Sequence, residues 1–109
     1  MLAEFTAAGS PTRVSRAIEE FARAHGVSAL VVPWESDAAG VSIAVTSVKA
    51  DGWAIEHTNL GTIRLTDLGN DATRIAIAPD EQRREEAPQL GALFERFAQQ
   101  VQRRFGAAS

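Results

Sequence analysis

Apolar positions recur at three- and four-residue spacing near the two ends of the chain and at two-residue spacing between them. Val14, Ala17, Ile18, Phe21 and Ala22 make one stripe, with Arg13, Arg16, Glu19, Glu20 and Arg23 mostly on the other side, which predicts an amphipathic helix. Ser10 before Pro11 reads as its N-cap and first-turn proline, Gly26 as its closing residue, and Glu19 to Arg23 as a favourable i,i+4 pair. From Gln89 onward Leu90, Leu93, Phe94, Phe97, Val101 and Phe105 form the clearest stripe in the chain. It ends at Gly106, with Arg103 and Arg104 suited to a helix C-terminus.

Between the helices the residues turn β-branched, and turn signals recur about every ten positions. A short strand is expected over Leu2 to Thr6 and a continuous apolar run from Ala29 to Trp34, with Ser36 to Gly40 as a polar turn. Val41, Ile43 and Val45 alternate with Ser42, Ala44 and Thr46, as in a sheet with one buried face. Asp51-Gly52 is a hairpin dipeptide of the type I′ kind. Trp53 and Ile55 open the next alternation, Asn59-Leu60-Gly61 reads as either a turn or a bulge, and Ile63 and Leu65 continue beyond it. Leu68-Gly69-Asn70-Asp71 is a further turn, and Thr73 to Ala78 a last strand with Ile75 and Ile77 inward. Pro79 to Pro88, half charged and without apolar pattern, reads as an exposed connector.

The fold class expected is therefore α+β in two layers. An antiparallel sheet of about five to six strands packs its odd-position face against the long C-terminal helix, in the order β-α-β4(5)-α, as one domain over residues 1–109. The N-terminal helix belongs on the same face or at the sheet edge.

Composition fits that picture: 109 residues, 45% hydrophobic, 23% charged and a net charge of -3 describe a domain able to bury its own core without staples. The absence of cysteine removes disulfides, thiolate metal sites and cysteine nucleophiles. The beginning of the chain lacks a basic n-region followed by an apolar h-region, and no apolar stretch approaches the roughly 18 residues that cross hydrocarbon. A cytoplasmic protein with no membrane partner is expected. The mildly acidic balance offers no field for phosphates, which excludes general nucleic-acid binding.

The run Gly61-Thr62-Ile63-Arg64-Leu65, the turn at Leu68 to Asp71, the strand Thr73-Arg74-Ile75 and the helix with Leu90, Leu93, Phe94 and Phe97 together cover less than half of the chain. These segments carry a local resemblance to helix-grip sequences, and the order of strand, helix, four or five strands and helix over the chain resembles the β-α-β4-α pattern of the TBP-like fold and, more loosely, small helix-grip domains of the START and Bet v 1-like superfamily. The resemblance implies a curved antiparallel sheet against a long C-terminal helix. The chain departs from START-like domains in being shorter and in having one N-terminal helix where they often have two. The TBP-like resemblance implies no DNA binding here, given the charge and the few aromatics.

His25 and His57, the only histidines, have no companions at metal-ligand spacing, so neither metal nor cofactor is expected. His25 precedes a helix-closing glycine, where an imidazolium suits the helix dipole. His57 follows Trp53 and Ile55 at period two, which turns a titratable group toward the core or a pocket. Trp34 and Trp53 stand at strand ends, able to cap a core or line a pocket mouth. Arg64 and Arg74 interrupt neighbouring alternations, as a carboxylate grip or as a solvated outer face. Asp67, Asn70 and Asp71 are accounted for by turn chemistry.

These residues lead to three expectations. The first is a non-catalytic module holding a small apolar ligand between sheet and helix, with Trp34, Trp53, His57, Arg64 and Phe97 as candidate contacts. The second is an interaction protein, a homodimer in particular, that uses an open sheet edge or the far sheet face, where Ser42, Ala44 and Thr46 permit flat packing. The third is a small helix-grip enzyme with His57 as general base. The first requires a pocket of at least about 300 Å³ between the layers, whereas the second requires a filled core and a dimer.

Overall fold

The computed structural model describes residues 2–106, with only the backbone at Asp51. Strand β1 (Ala3–Ala8) is followed by helix α1 (Pro11–Ala24), strands β2 (Ser28–Val31), β3 (Gly40–Asp51), β4 (Ala54–Gly69) and β5 (Ala72–Pro79), and helices α2 (Glu81–Glu86) and α3 (Pro88–Phe105). The five strands form one antiparallel sheet in the order β1-β5-β4-β3-β2. α1 carries the chain from one edge of the sheet to the other, and the meander β2 to β5 brings it back beside β1. The mixed α+β class and the C-terminal helix on the sheet are as the periodicity indicates.

Local chemistry explains the helix ends. The Ser10 hydroxyl accepts from the Arg13 amide at 3.3 Å and Pro11 opens the first turn. His25 is the C-cap; its Nδ1 donates to the Phe21 carbonyl at 2.8 Å while its ring stacks on Phe21 with centroids 4.0 Å apart. The start of α1 is moored to the far hairpin, because buried Thr73 donates its hydroxyl to the Gly9 carbonyl at 2.7 Å and the Gly9 amide bonds Asp71 O at 2.6 Å.

The core lies between one sheet face and the two long helices. Ile43, Val45, Ile63, Leu65, Ile75 and Ile77 from the sheet meet Ile18 of α1 and Phe94, Phe97 and Val101 of α3, all buried. α1 and α3 also meet each other, through Phe21 against Phe97 and, edge-on, Phe105.

Four expectations need correction. Pro79 to Pro88 is no bare connector: it contains α2, whose N-cap Asp80 accepts from the Arg83 amide at 3.1 Å and whose sequence is made of strong helix formers joined by Arg83–Glu86 and Arg84–Glu81 pairs. The Ala29 to Trp34 run stops being strand at Val31, since Pro33 has no amide to continue the ladder and instead opens a 3-10 turn over Pro33–Glu35. The β3–β4 hairpin turns on Gly52 and Trp53 between the paired Asp51 and Ala54, with a positive φ of 60° at Gly52 only, the II′ pattern rather than I′. Finally, β1 runs two residues beyond Thr6.

Candidate functional site

The Asn59-Leu60-Gly61 ambiguity is resolved as a bulge, and the bulge decides where the candidate residues point. β3 is uninterrupted, and Val45 faces Gly61 while the next residue, Thr46, faces Asn59, so Leu60 is an extra residue in β4. Leu60 turns inward and is buried. Beyond it the parity of β4 is inverted: Ala54, Glu56 and Thr58 lie on the helix side, and Ile55, His57 and Asn59 on the outer side, opposite Ala50, Val48 and Thr46. Ile55 and His57 therefore do not share the inward face of Ile63 and Leu65, as unbroken alternation predicts, but stand on the solvent side of the sheet.

The part of the β3–β4 hairpin beyond the bulge projects past the helix layer as an arm. Lys49, Ala50, Ala54, Ile55, Glu56 and His57 are exposed on both of its faces, and the molecule measures 46 × 25 × 24 Å. Large apolar side chains collect on its outer side and tip: Val48 is 49% exposed, Ile55 66% and Trp53 fully so, with Leu30 of β2 at 55% on the same sheet face. The nearest polar partner of His57 is the Thr46 hydroxyl, 3.4 Å from Nδ1.

The arm is anchored at its elbow. Asp80 donates its amide to the Leu60 carbonyl at 3.0 Å, and its carboxylate accepts from Asn59 Nδ2 at 2.9 Å and from the Arg83 amide. These hydrogen bonds, that of Asn59 first, hold the Asp80 carboxyl below its ordinary range against a smaller opposing effect of burial.

Next to the arm the outer face sets short side chains between Leu30, Arg64 and Glu4. Leu30, Ala44, Thr62 and Ala78 form a row across β2, β3, β4 and β5, and Ser42, Arg64, Ala76 and Glu4 a second row across β3, β4, β5 and β1. Arg64 is a structural clamp in this row. Its Nη1 donates to the Glu35 carbonyl at 2.8 Å and to Ser42 Oγ at 3.0 Å, and its Nη2 lies 3.7 Å from Asp37 Oδ1, which pins the segment joining β2 to β3. Arg74 pairs separately with Glu4 at 3.9 Å, so the two arginines do not form a common carboxylate grip.

The five candidate contacts thus divide. His57 and Arg64 share the outer sheet face; Phe97 is buried on the opposite face against Phe21; Trp34, 83% exposed, and Trp53 stand at opposite ends of the β3–β4 ribbon. The space between sheet and α3 is filled by Phe94 and Phe97. A Cβ at Gly61 would collide with the Phe94 ring, and the Ala78 carbonyl oxygen would lie only 2.5 Å from it, which shows how closely the ring meets the sheet. The larger clefts open at the rim instead. One of about 290 Å³ lies between the β1–α1 turn, α1 and Phe105, and one of about 550 Å³ beside β1 and the end of α3. Among the described residues no three or more His, Asp or Glu side chains gather as a metal site, and no helix is long and apolar enough to cross a membrane. The sequence signal for the outer face was present in Leu60 itself, an apolar residue at an even position directly before an odd-position core run.

Compared with known proteins, the chain matches no family model, and neither a curated protein nor a solved structure is significantly similar to it.

Proposed function

We propose that the protein is a non-catalytic interaction domain that docks a protein surface on the outer face of its sheet. The observation that carries this reading is the inversion at Leu60, which moves Ile55 and His57 out of the core and sets them with Val48 and Leu30 on an uncovered face. Exposed apolar side chains standing together on one face are the mark of a binding surface, whereas isolated ones are ordinary. The short side chains of Ala44, Thr62, Ala76 and Ala78 beside them allow close approach of a partner. Of the two kinships in the resemblance, the β-α-β4-α order with both long helices on one face supports the TBP-like arrangement over a START-like one.

A small apolar ligand between the layers is the alternative, and binding there requires Phe94 and Phe97, now fully packed, to move aside. Native mass spectrometry of the purified chain separates the two. An assembly without added small-molecule mass supports the docking face. A monomer carrying a reproducible extra mass removes it in favour of a ligand between sheet and helix.

A further inference from the structure

We infer that the partner on this face is a second copy of the chain, each protomer laying its β3–β4 arm across the small-residue platform of the other. This rests on the docking reading above and adds the identity and geometry of the occupant.

Three observations lead to it. First, one face holds both halves of a self-complementary contact: protruding Val48 and Ile55 on the arm, and the short side chains Ala44, Thr62, Ala76 and Ala78 on the sheet, beside Arg64 lying across the buried Ser42. A two-fold interface uses the same patch on both subunits, so a patch carrying its own knobs and its own recess closes on itself. An axis crossing the strands beside Ser47, just beyond the bulge, reverses their direction and sets the arm of one protomer over β3 and β4 of the other. Ile55, which is level with Ala50, then stands above the level of Ala44 and Thr62, and Val48 above that of Thr46.

Second, the charges of the platform are already paired within the chain, Arg74 with Glu4 and Arg64 with Asp37, which leaves no net field for a highly charged foreign partner to match. Third, the size fits a reversible dimer. The overlapping β3–β4 ribbons, two strands wide at about 4.8 Å spacing and about 3.3 Å per residue, present roughly 300–400 Å² each in projection, a contact at the small end of specific interfaces. The arm itself calls for cover, since a two-stranded ribbon with no layer beneath it is marginal in water.

Sedimentation velocity of the full chain with the variants Ile55→Lys, on the arm, and Ala44→Glu, on the platform, tests the arrangement. Both positions are on the outer face, so circular dichroism and the unfolding midpoint of the monomeric variants verify that each is folded. The wild type is expected to sediment as a dimer of 11.7 kDa chains. Each variant alone should weaken the dimer by at least roughly tenfold, and an equimolar mixture should recover it. In the mixed dimer the introduced lysine of one arm meets the introduced glutamate of the other platform, and the second contact is wild type on both sides.

A wild-type monomer at every concentration overturns the second copy, and so does a dimer indifferent to both substitutions. Binding of anilinonaphthalene sulfonate, read on the same samples, separates those failures from failure of the docking face. A monomer whose dye binding is lost in Ile55→Lys has an apolar face without self-association; one that binds no dye has no such face.

Discussion

At Gly61 the ring of Phe94 lies directly on the sheet, so the absence of a side chain there is a packing requirement. Gly61→Ala adds a methyl group where no space exists and should cost about 1–3 kcal/mol, read as a lower denaturant midpoint with an unchanged m-value. Leu60, the bulge residue, is buried, and Leu60→Ala should cost about 2–4 kcal/mol by leaving a cavity at the elbow. Asp80 adds a pH dependence. Its carboxyl titrates below the unfolded value, so its contribution is complete above that value and is lost as pH falls through the lower folded one. Asp80→Asn should therefore flatten the acid limb of the stability curve below about pH 4 and leave its neutral-to-basic limb parallel to wild type.

At the scale of elements, the two long helices are written plainly because each buries one stripe against the sheet, and the periodicity of Val14 to Ala22 and of Leu90 to Phe105 records it. α2 is not written that way: none of its residues is buried, and its helicity comes from the Asp80 cap and side-chain pairs that have no apolar period. The arm presents the opposite case, regular alternation with nothing beneath it. Its backbone hydrogen bonds are open to water, so amides of Ala54 to Thr58 should exchange much faster than those of Gly61 to Leu65 in the same strand when the chain is monomeric. Equal protection in the Ile55→Lys monomer would mean that the arm is stable without a cover.

For the whole molecule, the tryptophans report on the surface and not on the core, because Trp34 and Trp53 are both largely exposed. Urea unfolding of the monomeric Ala44→Glu variant should shift tryptophan emission little while far-ultraviolet circular dichroism collapses. A large red shift on unfolding would mean that one ring is covered in the folded monomer. The filled core and the uncovered outer face belong together at this scale. A chain that sets Phe94 against Gly61 and buries Phe97 beside it closes the space between the layers, and the docking proposed above accordingly uses the side of the sheet that faces water.

The amino-acid sequence by itself determined the class, the order of the strands and the two long helices, the N-cap and closing glycine of the first helix, and the inward set Ile43, Val45, Ile63, Leu65, Ile75 and Ile77. Those features rest on local periodicity and on capping and turn chemistry, which neighbouring residues carry between them. The direction of Ile55 and His57 was decided only by tertiary structure. Alternation along one strand is blind to a bulge, and whether Leu60 turns into a loop or into the core depends on β3 pairing with β4 on both sides of it and on Asp80 arriving from a distant segment to hold the elbow. The separation of Trp34 from Trp53 and of Arg64 from Phe97 has the same cause, since residues that look like one set along the chain are distributed by the sheet to its two ends and its two faces.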